Sequence, residues 1–225
     1  KGWGMFEVGH VKAFSHKDTV FRTFLIGSKP DSIWKSALYL VDHGNAVTFA
    51  GNTLVKGIVY LPAAGPTSGA VDGKDFNKKN LVEGEIGKST NSLPVLNKDF
   101  LKNMLLQTGH SSLPGDLSVK VLKTDSLVVS FGKPTLRIHS KGSPISLSHI
   151  TLKGNIIISS DTLIEISSSA QLHNIILTAP RIIFKDDFKG SVQAFATDTL
   201  ITGEFSYFHY PSALALMEID SIENK

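Results

Sequence analysis

The tetrapeptide Asp-Thr-Leu-Ile occurs at residues 161–164 and again at residues 198–201. A chain without low complexity repeats itself in this way when the same structural corner is laid down again. Half-steps complete the series. Units open at Asp125, Ser143, Asp161, Pro180 and Asp198, and the third position of each is aliphatic: Leu127, Ile145, Leu163, Ile182 and Leu200. A second ladder, Val119, Ile138, Ile157, Ile176 and Phe195, climbs beside it inside short β-rich runs. Two apolar ladders of nearly one period define a solenoid, whose repeats bury their apolar faces only on one another.

The shared period, about 18 to 19 residues, is too short for helical repeats and too irregular for a leucine-rich repeat. It suits one turn of a parallel β-helix, two or three strands of about five residues joined by tight turns. Stacking like on like makes Leu127 through Leu200 an internal aliphatic stack. The Asp, Ser or Pro opening each unit suits a corner, because Asx and Ser side chains bond nearby backbone and Pro presets φ. Asp125, Asp161 and Asp198 are expected to stack there, and Ile157→Asp is expected to unfold the solenoid from within. A β-sandwich with evenly spaced strands is the competing reading. Sandwich strands alternate apolar with polar, whereas Ile156-Ile157-Ile158 and Ile175-Ile176-Leu177 are continuous, as parallel strands are. The fold class expected is mainly β: a single-stranded parallel β-helix with an aromatic N-terminal cap or sheet and one inserted short helix.

Five segments follow. Residues 1–44, with Trp3, Phe6, Phe14, Phe21, Phe24 and Trp34, read as a strand-rich cap. Strands at 7–14 and 20–26 flank Ser15-His16-Lys17-Asp18, and strands at 37–41 and 46–49 pair around the turn sequence Asp42-His43-Gly44-Asn45. Residues 45–94 read as irregular first turns of the β-helix, in which Asn80-Leu81-Val82-Glu83-Gly84 echoes Asn52-Thr53-Leu54-Val55-Lys56-Gly57 with one residue deleted. Glycine at the recurring point fits a corner needing φ > 0. Residues 95–114 hold an amphipathic helix over 97–109, capped by Asn97 or Asp99, with Phe100, Met104 and Leu105 on one face and Gly109 as its stop. Residues 115–210 form the regular β-helix, and 211–225 a C-terminal tail.

The chemistry of a site is sparse. The 23 basic and 20 acidic residues are mixed along the chain, so the electrostatic footprint of a nucleic-acid binder is missing. Without cysteine, disulfides, thiolate metal sites and a Cys nucleophile are excluded, and the compartment is left undecided. No apolar run reaches the ~20 residues of a helical membrane span. The start at Lys1, without a signal-peptide pattern, reads as a trimmed piece whose N-terminal signal or anchor is missing. His10 and His16 near Asp18 have a spacing that matches no metal signature. His139, His149, His173 and His209 are scattered through the repeats and read as corner or strand residues. Asp186-Asp187 reads as a solvated turn rather than a glycosidase pair, because consecutive strand residues face opposite ways. Glu165 and Glu204 show no partner. Gly87-Lys88-Ser89-Thr90 imitates a Walker loop, yet Val82 stands where its first glycine is required. No catalytic residue, cofactor or metal ligand is assigned.

The turns Thr53-Leu54-Val55-Lys56-Gly57-Ile58-Val59-Tyr60 and Thr151-Leu152-Lys153-Gly154-Asn155-Ile156-Ile157-Ile158 resemble those of parallel β-helix proteins, including bactofilin-type polymer-forming scaffolds. The resemblance covers residues 45–90 and 115–210; bactofilin-like domains are shorter and more uniform. It carries over no functional residue. The function expected is a non-enzymatic structural or adhesive β-helix of the bacterial cell envelope, periplasmic or at the cell surface, associating with itself or a protein partner. A β-helix that binds or degrades polysaccharide is the alternative.

Overall fold

A run such as Ile156-Ile157-Ile158 offers no side to water, so a strand made of it must be covered on both faces. In the computed structural model, which describes residues 2–27, 36–96, 98, 104, 114–119 and 124–217, the strand Ile156–Ser160 is buried throughout. The protein is mainly β, and its parallel coils stack as a β-solenoid. It divides into two compact units, Lys1–Ser28 with Lys98–Lys225, and Lys29–Asn97.

In the first unit each regular coil has three sides. From Ser126–Val129 the chain passes to Leu136–Ser140 and Ile145–Leu147, and the next coil repeats that path as Thr151–Gly154, Ile156–Ser160 and Leu163–Ile166. The two following coils run as single long strands, Gln171–Phe184 and Lys189–Thr202. Parallel pairing sets Ile138 beside Ile158, then Leu177 and Ala194. A second row runs Ile145, Ile164, Ile182, Leu200, and a third Leu127, Leu152, Leu172. These side chains meet inside the coils in one apolar cluster. Each fully buried aliphatic side chain there contributes about 1.5–3 kcal/mol.

The register corrects both sequence ladders, because successive coils differ in length. Ile157 pairs with Ile176, which is the ladder's own step. The step from Ile138 to its partner Ile158 is longer by one, and that from Ile176 to Gln193 is shorter by two. A fixed step therefore slides from the inward row (Val119, Ile138) onto outward positions (Ile157, Ile176, Phe195). The corner at Asn174 (φ 59°) explains one such slip, because the register shifts between His173 and Ile175. The first ladder slips once: Ile164, not Leu163, occupies the interior row that continues to Ile182 and Leu200. The two Asp-Thr-Leu-Ile copies therefore mark the same corner one residue out of phase. Leu127 belongs to a different side. Nor do Asp125, Asp161 and Asp198 form one stack: Asp125 precedes Ser126–Val129 on one side, whereas Asp161 precedes Leu163–Ile166 on another and Asp198 lies within Lys189–Thr202.

In the second unit, Leu38–Tyr39, Val59–Leu61 and Ile86–Lys88 pair in parallel, as do Val47–Phe49 and Pro66–Ser68. The expected hairpin of 37–41 with 46–49 is thus replaced by coil stacking. Both strands instead find partners one coil on, which lets Leu38, Val47, Phe49, Val59, Leu61 and Val82 share a core. Asp42 holds the turn between them, its carboxylate accepting from Gly44 and Ala63 amides at 2.7 and 2.8 Å. The Ala63 and Gly44 bonds keep the Asp42 pKa below the usual carboxylate range.

The echo between 52–57 and 80–84 is a true stack. Lys56 bridges to Glu83, and Gly57 N–H donates to Glu83 C=O at 3.0 Å. Gly57 and Gly84 have φ of 116° and 157°, and Gly154, at the matching point of its own coil, has φ 93°. A Cβ on Gly154 would collide with the Val129 carbonyl. We therefore expect Gly154→Ala to cost about 1–3 kcal/mol, read as a lowered denaturant midpoint; an unchanged midpoint would show that this corner relaxes freely.

The N-terminal region divides between the units. β1 (Gly2–Trp3), β2 (Phe6–Ser15) and β3 (Asp18–Gly27) form an antiparallel sheet in the order β1-β2-β3, with β2 and β3 as one long hairpin. Its base closes over the outward positions of the solenoid. Trp3 and Val8 bury themselves against Ile157, Ile176 and Phe195, joined by Met104. Lys98 and Met104 are helical; the rest of the helix expected over 97–109 lies outside the described residues, as does the expected tail beyond 217, whereas Ala213–Leu216 of that tail instead pairs in parallel with residues 193–196 and continues the stack. Gln193 fastens the strap: its Oε1 accepts from Met5 N–H at 2.6 Å and its Nε2 donates to Trp3 C=O at 2.9 Å. Trp3 Nε1 donates to the Asn174 carbonyl at 3.2 Å.

Candidate functional site

Three places on the first unit gather groups with chemical potential, and the coil register builds two of them. His139 and Ser159 are paired neighbours on adjacent strands. Ser159 Oγ lies 2.9 Å from His139 Nδ1, and His139 Nε2 lies 3.6 Å from Asp161 Oδ1. These are the residue types of a nucleophilic triad. Acyl transfer also requires N–H donors aimed at the developing oxyanion. Ser159 sits in a central strand paired on both sides, with His139 and with Thr178. The Asp161 N–H donates to Ser140 C=O at 3.2 Å, and the Thr162 N–H to Ser160 Oγ at 3.2 Å. With these amides committed, the geometry supports a hydrogen-bonded polar corner and not an oxyanion hole. Sequence reasoning missed this grouping because the separation of His139 from Ser159 means contact only once the length of that coil is known.

A second row, outward on another side, carries Lys153, His173 and Ser191. The His173 pKa is lowered, chiefly by burial, then by the charges of Lys153 and His209. Its unfolded-state value, the ordinary 6.5, exceeds the folded one, so the unfolded chain binds more protons in the interval between them. Stability must fall as pH drops through 6.5 towards the folded value. In urea titrations taken from neutral to mildly acidic pH, His173→Asn is expected to lose less stability than the unaltered chain; equal losses would remove His173 as a source.

The remaining sequence candidates are dispersed. His10 Nδ1 meets Thr23 Oγ1 at 3.1 Å on the hairpin, and His16 occupies its turn with φ 50°. His149 donates its amide to Ser169 Oγ at 3.0 Å. Glu165 pairs with Lys185 at 3.0 Å. Asp186 and Asp187 are exposed at a corner, where Asp186 Oδ1 accepts the Glu204 amide at 2.8 Å. A buried ion pair joins Arg137 to Asp116 at the side of the coil. Among the described residues no group of three or more His, Asp or Glu is placed to hold a metal ion. A cavity of about 330 Å3 opens among Thr124, Asp125, Ile138, Ser140, Pro144 and Ile145; among the described residues that line it, Asp125 is the one ionisable group.

The third place is the far half of the β2–β3 hairpin. From His10 to Phe21 every side chain is exposed, among them Phe14 at 78%, Val20 at 68% and Phe21 at 72%. Opposed residues share a face, so Lys12 lies over the ring of Phe21, 5.4 Å from its centroid. Exposed apolar side chains gathered on a projecting element mark an interaction surface. A two-stranded ribbon without a core is marginal in water; here its anchored base holds it.

No protein-family model, no curated protein and no solved structure matches the chain. Its reading rests on its own residues.

Proposed function

We propose that the chain is a non-enzymatic structural or adhesive β-solenoid protein of the bacterial cell envelope, acting in the periplasm or at the cell surface. The observation that carries this reading is the arm formed by β2 and β3, which projects Phe14, Val20 and Phe21 into solvent from a base locked by Trp3 and Gln193. A stacked solenoid is a stiff platform, and an apolar arm on it is suited to adhesion rather than turnover. The envelope assignment rests on the chain's overall resemblance to a bacterial envelope protein.

Polysaccharide binding is the second reading, favoured by the last coils. Phe205 and Tyr207 are exposed beside the corner of Asp186, Asp187 and Glu204, an aromatic and carboxylate pairing suited to sugars. Cosedimentation with cell-envelope fragments separates the two. Under the adhesive reading, Phe14→Ser with Phe21→Ser weakens retention and no new reducing ends accumulate. Loss of retention in Phe205→Ala with Tyr207→Ala would move the function to the sugar-binding corner, and release of oligosaccharides would make the protein an enzyme.

A further inference from the structure

We infer that β3 is a homotypic docking edge: it pairs antiparallel with β3 of a second copy, centred on Thr23. β3 is the outer strand of the sheet β1-β2-β3. Along its whole length it stays in unbroken register with β2. Among the described residues, the one backbone bond on its far side is that of Gly27, whose N–H donates to the Tyr210 hydroxyl at 3.1 Å. That bond shows which way the amides point. Because alternate residues of a strand present their N–H and C=O to the same edge, Leu25, Thr23, Phe21 and Thr19 direct theirs outward with Gly27. An edge of this length, without proline or bulge and rich in Val, Phe, Leu and Ile, is a template for strand addition.

The side chains choose the partner. A two-fold axis normal to the sheet must place one residue opposite itself. Centring on Arg22 would oppose two guanidinium groups, and like charges directly opposite are unfavourable. Centring on Thr23 sets threonine against threonine, Arg22 against Phe24, and Phe21 against Leu25, with apolar or cation–π contact at each step. A lipid surface fits less well. One face of the arm carries Lys12 with Phe14 and Phe21, and the other Arg22 with Val11, Val20 and Phe24. Inserting either face would bury a charge, whereas strand pairing leaves both faces wet and satisfies only the edge. The inference deepens the adhesive reading by naming the arm's partner, and it rests on that reading.

Paired strands alone lie at the low end of interface sizes, so a dissociation constant on the order of micromolar is expected. Sedimentation velocity over a concentration series tests it, together with hydrogen exchange of β3 amides. The expected result is a monomer–dimer equilibrium in which the amides of Thr19, Phe21, Thr23 and Leu25 gain protection as concentration rises. Thr23→Pro removes an outward N–H and no backbone bond within the hairpin, losing there only the exposed hydroxyl contact with His10, and should raise the dissociation constant about tenfold or more. Thr23→Lys and Thr23→Glu keep the backbone donor; each alone should dimerise more weakly, and an equimolar mixture of the two should recover association. A monomer at all concentrations, or a dimer whose four amides exchange as fast as in the monomer, overturns the inference. So does a monomer that floats with phosphatidylglycerol vesicles, which assigns the arm to lipid. A monomer that still cosediments with envelope fragments overturns the pairing and leaves adhesion standing; a dimer that does not cosediment does the reverse.

Discussion

Ile158→Asp is expected to abolish the cooperative unfolding transition of the solenoid, whereas Ile157→Asp, one residue away, is expected to leave the coils stacked and free the N-terminal strap. Ile158 is fully buried in the interior row between Ile138 and Leu177. An ionised carboxylate there would sit in the apolar interior cluster, and losses above about 4–5 kcal/mol, the exceptional end of single substitutions, follow from an unpaired buried charge. Ile157 points the other way, into the layer shared with Trp3, Val8 and Met104. Hydration of that layer costs the strap its contacts while the interior rows stay dry. Far-ultraviolet circular dichroism and Trp3 fluorescence, with Trp34→Phe to isolate the signal, distinguish the two. Retained β signal with a red-shifted Trp3 is the result for Ile157→Asp. Collapse of both signals in Ile157→Asp, or a folded Ile158→Asp, would show that inside and outside have been exchanged.

Gln193→Ala should release the strap without disturbing the coils. The Gln193 side chain is 1% exposed and closes two backbone groups, Met5 N–H and Trp3 C=O. Removing it leaves both polar groups buried without that partner, at about 1–3 kcal/mol each. Gly4 shows how closely the parts fit: its φ is 58°, and a Cβ there would collide with the Gln193 amide oxygen. Limited proteolysis is the measurement. Cleavage before residue 28 should speed up roughly a hundredfold if opening is limited by this anchor, since each ~1.4 kcal/mol is a factor of ten. An unchanged rate would mean that Trp3 packing alone holds the strap.

The solenoid was legible in the sequence because aliphatic recurrence is what coil stacking demands. Its register was not. One constant step fits Ile157 to Ile176, yet corners such as Asn174 absorb or add a residue, and each such change turns a side chain from inside to outside. The period therefore identified the architecture and misassigned Ile157, Leu163 and the three corner aspartates. The strands of the N-terminal hairpin were readable as two runs, 7–14 and 20–26, on either side of Ser15-His16-Lys17-Asp18. Their exposure was not, because Phe14 and Phe21 look like core residues until the solenoid is seen to bury only Trp3, Val8 and their neighbours. The His139–Ser159 contact stayed hidden for the same reason as the register: the coil between them is one residue longer than the ladder's step.

If the chain works through its arm, as proposed, removing the arm must remove its binding. The direct test is cosedimentation of the intact chain and of a form lacking residues 10–23, closed by an Asn-Gly turn, with cell-envelope fragments. The shortened form is expected to keep its melting temperature and to lose most of its retention. Equal retention of the two forms would contradict it and place the adhesive surface on the coils themselves.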